Sequence, residues 1–140
     1  MSRALLIASL MIPLAAALPL SGCLPMPKPV PTGAQDYADF CAGCHGASGK
    51  GDGEMATTLP GKPADLTRLA AGNDGTFPMT RVMSKIWGYT RAPDGTVMPR
   101  FAPLLETDSM VLFDGGDGIA TPTPLRLVQL AEYLRSLQAR

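Results

Sequence analysis

The clearest periodic pattern of apolar residues lies near the C-terminus and predicts a helix over residues 124–138. Thr123 is the predicted N-cap, and Pro124 suits the first helical position because its missing N–H would have no partner there. The apolar residues recur every three or four positions, so they share one helical face. They are Leu127, Leu130, Ala131, Leu134 and Leu137.

Two further stretches predict helices. Thr32 and Gln35 have the spacing of a capping box, which predicts a helix running from there into Cys41. Residues 78–88 predict another helix, which Gly88 ends. Its apolar stripe is expected to face the core and consists of Met79, Val82, Met83, Ile86 and Trp87.

The start of the chain predicts export. Residues 1–22 contain Arg3 and an apolar run that is short for a membrane span and typical of a signal peptide. The run ends in Leu-Ser-Gly-Cys, which resembles the lipobox of bacterial lipoproteins and implies lipidation of the sulfur of Cys23. An ordinary cleaved signal peptide is the alternative. We expect a location in the cell envelope, on the periplasmic side of a membrane.

A proline-rich segment separates this leader from the rest. Residues 23–31 hold the lipidated cysteine and a run in which proline alternates with other residues, which favours an extended polyproline II tether. Residues 32–140 form the predicted folded domain.

Composition excludes some classes of function. Lys plus Arg and Asp plus Glu number 12 each, so no basic surface points to nucleic acid. The glycine-rich residues 46–53 lack the Gly-Lys-Ser/Thr ending of a phosphate-binding loop. Residues 114–118 lack the ligand spacing of a calcium loop and predict a tight turn.

Residues 41–45 (Cys-Ala-Gly-Cys-His) carry the strongest chemical signal. Two thiols separated by two residues and followed directly by an imidazole form the attachment pattern of a c-type haem. Each sulfur can add to one vinyl group of the porphyrin, and His45 then lies under the ring, where one nitrogen can bind iron. The pattern predicts one haem c, bound covalently through Cys41 and Cys44.

Three other interpretations use the same atoms. A zinc site needs a fourth ligand, but the chain has no second histidine, and its third cysteine is Cys23. A thioredoxin-like redox pair needs a preceding strand, whereas the stretch before Cys41 predicts a helix. A structural disulfide would leave His45 without a role.

Around this motif the chain resembles the class I cytochromes c. In that family a glycine eight residues, and an aromatic residue four residues, before the first haem cysteine lie where the first helix crosses the last. Gly33 and Tyr37 occupy those positions here, and Leu130 and Tyr133 match the Leu-x-x-aromatic pattern of the last helix. The resemblance implies an all-α fold, with three to five helices packed around the covalently attached haem.

The same resemblance implies the second iron ligand and some of the haem surroundings. Met98 lies before a proline and after an Asp-Gly turn, the context from which the family supplies its axial methionine; Met110 is the fallback. The family also places a proline whose carbonyl accepts a hydrogen bond from the ligand histidine. Pro63 is the candidate, with Pro60 as the alternative. Leu66 would pack near the ring, and Trp87 would donate its indole N–H to a propionate.

Histidine and methionine as axial ligands would leave the iron without an open position, which favours electron transfer over substrate chemistry. The expected function is therefore a membrane-tethered carrier of one electron between redox protein partners, without enzymatic activity of its own. The alternatives are a haem enzyme or gas-binding protein with an open iron position, a purely structural lipoprotein, and a fixed electron-entry subunit of a dehydrogenase or oxidase.

Overall fold

The structure is a computed structural model that describes residues 29–90 and 98–139. The predicted signal peptide, the predicted lipidation site Cys23 and most of the predicted tether lie outside the described residues. The described ranges contain five α-helices and one β-hairpin, with three short 3₁₀ turns at Glu54–Thr58, Leu66–Arg68 and Ala71–Asn73. The helices are α1 (Gly33–Phe40), α2 (Ala42–His45), α3 (Met79–Trp87), α4 (Ala102–Leu105) and α5 (Leu125–Ser136), and the strands are β1 (Met110–Asp114) and β2 (Ala120–Pro124).

The capping box predicted at the start of α1 is confirmed. The N–H of Thr32 donates to Oε1 of Gln35 at 2.7 Å, and the N–H of Gln35 donates to the hydroxyl of Thr32 at 3.3 Å. The helix that follows ends at Cys41, whose N–H donates to the carbonyl of Tyr37 at 2.9 Å. The cap therefore sets where the cysteine motif begins relative to the first helix.

The predicted crossing of the first and last helices is present as α1 against α5. A Cβ atom at Gly33 would lie 2.0 Å from the backbone carbonyl oxygen of Gln129, so only glycine permits this approach. The rings of Tyr37 and Tyr133 lie 5.3 Å apart, and Leu130 is only 1% exposed. These contacts hold α1, and hence the cysteine motif that follows it, against the longest helix described.

We expect Gly33→Ala to lower the free energy of unfolding by about 2–3 kcal/mol, because the added methyl meets backbone atoms that cannot rotate away. Denaturant unfolding of the haem-loaded protein measures the change. Gly72→Ala is the matched control, since nothing lies within 4 Å of a Cβ atom there. Equal losses in the two variants would contradict the close crossing.

The last helix begins later than predicted. Its N-cap is Pro124, with no side-chain cap, and its first helical residue is Leu125. Thr123 is not the cap, because it belongs to β2, where its backbone pairs with Val111 and its hydroxyl donates to the carbonyl of Thr121 at 2.9 Å. The start of α5 is therefore decided by the strand in front of it.

Helix α3 ends as predicted at Gly88, which adopts the left-handed conformation with φ of 96°.

The hairpin is the main difference from the predicted all-α fold. The fold is mostly helical, with helix numbers in the expected range, but residues 110–124 add a small antiparallel sheet. Residues 114–118 form the tight turn predicted for them. The Asp114 carboxylate accepts hydrogen bonds from the N–H groups of Gly116, Asp117 and Gly118. These bonds, above all the one from Gly116, lower the pKa of Asp114. Phe113 points inward and packs against the core.

The core lies between α1, α3, α4 and α5. Its most buried apolar side chains, each at most 5% exposed, are Tyr37, Ile86, Leu105, Leu127, Leu130, Ala131 and Leu134. One charged side chain, Asp36, is buried among them at 0% exposure and is bound by Arg126. Across residues 29–90 and 98–139, no helix has the length and hydropathy needed to cross a membrane.

Candidate functional site

The cysteine motif folds into a single helical turn, α2. The N–H groups of Cys44 and His45 both donate to the carbonyl of Cys41, at 3.2 Å and 2.9 Å. Residues three apart on a helix lie on neighbouring parts of one face, so the turn brings the two thiols to the same side. The imidazole follows directly at the end of the turn. The local backbone thus assembles the three side chains that the sequence singled out.

Both thiols are free, and Cys41 is buried whereas Cys44 is half-buried. Burial, followed by the charges of Asp36 and Cys44, raises the pKa of the Cys41 thiol to about 12. At neutral pH this sulfur is therefore a neutral thiol. Among residues 29–90 and 98–139, no three His, Cys, Asp or Glu side chains lie close enough together to hold a metal ion.

The imidazole of His45 is oriented by a backbone carbonyl. Its Nδ1 lies 3.0 Å from the carbonyl oxygen of Ala64, and because a carbonyl only accepts, Nδ1 carries the proton. In the neutral imidazole the other nitrogen, Nε2, then has a free lone pair that is available to a metal. Such a hydrogen bond fixes the ring orientation and raises the basicity of the ligand.

The carbonyl of Pro63 was predicted to accept the hydrogen bond from His45, but the acceptor is the carbonyl of the next residue, Ala64. The alternative, Pro60, is not the acceptor either. The Pro63 carbonyl is directed at the glycine-rich loop, where a Cβ atom at Gly51 would lie 2.2 Å from its oxygen. That loop is tied to the motif, because the N–H of Gly51 donates to the carbonyl of His45 at 2.8 Å. The close packing of the loop under Pro63 leaves the next carbonyl, that of Ala64, facing the imidazole.

Leu66 lies two residues after Ala64, on the segment that supplies the hydrogen-bond acceptor of His45. Its N–H donates to the carbonyl of Gly49 at 2.7 Å, and its side chain is half-buried against the core. Leu66 therefore contributes to the apolar wall beside the motif. Its packing against a haem stays a prediction.

Met98 is half-buried and packs against the core, whereas the turn predicted before it falls within residues 91–97, outside the described part. The fallback Met110 is 51% exposed on β1, and Met55 is 54% exposed although its sulfur lies 3.5 Å from the Cβ position of Gly43. Met79 and Met83 are buried in α3. Among these side chains Met98 is the one on an irregular segment that is also partly sheltered, and its role as a ligand stays a prediction.

Trp87 is the last residue of α3 and is half-buried. It lines an open groove of about 620 Å³ at the base of the hairpin, together with Glu106, Thr107, Asp108, Met110 and Pro124. The residues lining this groove do not include Cys41, Cys44, His45 or Met98. The expected bond from the indole to a propionate stays a prediction.

An ion pair beside the motif was missed by the sequence reasoning. Nε and a terminal nitrogen of Arg126 donate to the two carboxylate oxygens of Asp36, at 3.2 Å and 2.5 Å, and the other terminal nitrogen donates to the carbonyl of Leu104 at 2.6 Å. The guanidinium also lies 5.9 Å from the centre of the Phe40 ring. No local pattern joins residues 36 and 126, and this contact between α1, α4 and α5 is visible only in the fold.

Tyr37 connects the first helix to the end of the motif. Its side chain is 2% exposed, and its hydroxyl donates to the buried carbonyl of Gly46 at 2.6 Å. Burial, followed by the charges of Cys41, Tyr133 and Asp52, raises the pKa of Tyr37 to about 12. The phenol is therefore held neutral in the folded protein.

We expect Tyr37→Phe to lower the free energy of unfolding by about 1–3 kcal/mol at pH 7, because the Gly46 carbonyl loses its donor. The folded pKa lies above the ordinary value of 10.0, so the stability from keeping the phenol neutral is complete below pH 10 and is lost as the pH rises towards 12. The variant should therefore show a flatter pH dependence of the unfolding free energy over that interval. An unchanged slope would contradict this role.

The donor set fits a covalently attached haem: two free thiols on one helical turn, an imidazole with one nitrogen fixed and the other available, and apolar side chains around them. The family model described as cytochrome c matches residues 30–113, which include α1 to α4, the cysteine motif, Met98 and most of β1. No curated protein and no solved structure matches the chain. The last helix lies beyond the matched residues, yet it makes the crossing with α1.

Proposed function

The chain belongs to the cytochrome c family, and on that basis we propose that it is a membrane-tethered carrier of single electrons between redox complexes of the cell envelope. Haem c, bound covalently through Cys41 and Cys44, is its cofactor, and electron transfer is its general function. One observation carries the proposal of a carrier: the turn that presents two thiols together with an imidazole whose Nδ1 is held by Ala64.

The residues of the motif have separate tasks in this proposal. Cys41 and Cys44 would hold the haem covalently, and His45 would bind iron through Nε2 while the Ala64 carbonyl keeps the ring plane and tautomer fixed. Met98 would be the second iron ligand. When bound, the haem supplies an iron that gains or loses one electron. With His45 and Met98 both bound to iron, no position would be left for a small molecule, which favours electron transfer over substrate chemistry.

The visible spectrum and a haem stain test this proposal. We expect the protein exported in a host that matures c-type cytochromes to keep its haem on a denaturing gel and to give the spectrum of a six-coordinate, low-spin iron. Cys44→Ser should weaken covalent retention, and Ser48→Ala, an exposed residue of the neighbouring loop, is the control. A colourless protein would refute haem binding, and rapid binding of carbon monoxide to the reduced form would refute the closed iron.

The membrane tether is proposed from the leader alone. The lipobox-like residues ending in Cys23 and the proline-rich segment after them support a lipid anchor on the periplasmic side of a membrane. We expect mass spectrometry of the mature N-terminus to show acyl groups on Cys23, and Cys23→Ser to abolish them. A mature N-terminus without acyl groups would exclude the lipid as its anchor. Native co-purification separates a free carrier from a fixed subunit.

A further inference from the structure

The outer face of the hairpin is apolar where a polar face is expected. Antiparallel sheets that cover a core on one side normally carry polar residues on the other. Here Met110 and Leu112 are 51% and 73% exposed, and the residues paired with them across the hairpin are Pro124 and Pro122. The inward face is occupied by Val111 and Phe113, both half-buried. We call the outer face, Met110, Leu112 and Pro122, the hairpin face.

Exposed apolar side chains are concentrated in this region. Of six large hydrophobic residues that are exposed in the described part of the chain, four lie between residues 104 and 119. They are Leu104, Met110, Leu112 and Ile119. Met110 and Leu112 lie on the same face of β1, and Ile119 lines the same cavity as Pro122. Neighbouring exposed apolar side chains, as distinct from single ones, mark surfaces that contact another molecule.

The charged side chains that line the cavities beside the hairpin are carboxylates. Glu106 and Asp108 line the groove beside Trp87, Asp117 lines a second cavity between α3 and the hairpin, and the residues lining these two cavities include no Lys or Arg. Arg126 is already bound to Asp36, and within the described residues neither Glu106 nor Asp108 is in an ion pair. Glu106 and Asp108 instead line the groove of about 620 Å³ whose wall includes the Trp87 ring. An indole beside two carboxylates is a favourable site for a cationic side chain.

The charge decides between possible occupants. A second copy docked on the same face would bring the groove carboxylates, Glu106 and Asp108, close to those of its partner, and anionic lipid headgroups would be repelled in the same way. A strand of five residues also offers little area, as in the small, weak interfaces of electron-transfer encounters. A partner with an apolar patch ringed by Lys and Arg would complement both the carboxylates and the exposed apolar side chains.

We propose that the hairpin face and the groove beside Trp87 form the docking surface for a redox partner protein that presents an apolar patch ringed by Lys and Arg. The proposal rests on the proposed electron-carrier function and adds to it the chemistry of the partner. The apolar side chains supply contact area, and the carboxylates steer the cationic rim during encounter.

The first test maps binding on the reduced, haem-loaded protein by NMR. The probe is tris(phenanthroline)chromium(III), an apolar trication that is paramagnetic and broadens the signals of nearby amides. We expect the broadening to centre on the amides of Leu112 and Ile119 and on the Trp87 indole. Broadening centred on any other part of the surface, or absent, overturns the proposal.

The second test follows oxidation of the ferrous protein by tris(phenanthroline)cobalt(III) at low ionic strength. We expect Asp108→Asn and Leu112→Thr each to lower the second-order rate constant by about twofold to threefold. Asp74→Asn, an exposed aspartate in a separate loop, is the matched control and should leave the rate unchanged. Equal rates in all variants, or an equal loss with Asp74→Asn, overturn the proposal.

Oxidation by ferricyanide, an anion, is measured as well, in order to distinguish an error in the docking surface from an error in the proposed function. A protein that both reagents oxidise, without dependence on the hairpin, is still an electron carrier, and only the docking surface is refuted. A protein that neither reagent oxidises refutes the carrier function itself. If sedimentation shows that the protein self-associates and that Leu112→Thr abolishes this, the hairpin face binds a second copy. If the protein binds vesicles and Leu112→Thr abolishes this, the hairpin face binds lipid. Either result overturns the proposal of a redox partner.

Discussion

Arg126→Met is expected to lower the free energy of unfolding by about 3–5 kcal/mol. Asp36 is 0% exposed, and both of its oxygens accept hydrogen bonds from Arg126. Removing the guanidinium leaves a buried carboxylate without its cation, and it also removes the donor to the Leu104 carbonyl. Denaturant unfolding of the haem-loaded protein, followed by circular dichroism, measures the effect.

Arg135→Met on the same helix is the matched control. Arg135 pairs with Glu132 at the surface, where such pairs contribute less than about 1 kcal/mol. We expect the second change Asp36→Asn to recover part of the loss in Arg126→Met, because the unpaired charge disappears. A loss in Arg126→Met as small as that in Arg135→Met would show that the buried pair does not stabilise the junction of α1, α4 and α5.

Met98→Ala is expected to change the iron site most strongly. Loss of the thioether should abolish the weak absorption band near the red edge of the oxidised spectrum. The reduction potential should fall on the order of 100 mV, because thioether ligation raises the potential. The reduced variant should also bind carbon monoxide rapidly. Spectra of both oxidation states and a redox titration measure these effects.

Met110→Ala and Met55→Ala are the controls, since both side chains are exposed and unbranched. We expect both to keep the red band and the wild-type potential. If Met110→Ala loses the band while Met98→Ala retains it, the ligand is Met110. In that case Met110 belongs to the iron site, and the hairpin face is not a docking surface.

Local patterns were predicted well. The capping box at Thr32 and Gln35 involves residues three apart, so the side chains that satisfy the free N–H groups are specified within one turn. The end of α3 at Gly88 was also predictable from local sequence, because only that one position needs a residue in the left-handed conformation. The close crossing at Gly33 was inferred from the family resemblance, and its physical reason, the absent side chain, is again a property of one residue.

Predictions that depended on the register between segments were less accurate. Thr123 was expected to cap the last helix but pairs with Val111, because the hairpin extends to the first residue before α5. The strand β2 was not predicted at all, since prolines at 122 and 124 argue against a strand by local criteria. They are tolerated because β2 pairs with only one neighbour and has a free outer edge.

The sequence alone determined the chemistry of the site. The order and spacing of the two thiols and the imidazole are fixed by the covalent chain, whatever the fold. Tertiary structure decided which carbonyl orients His45, which cation compensates the buried Asp36, and which face of the hairpin meets solvent. Each of these depends on how two segments distant in the chain are placed, to within one residue or a few tenths of an ångström. Local propensity does not encode that placement, because it results from packing the whole core at once.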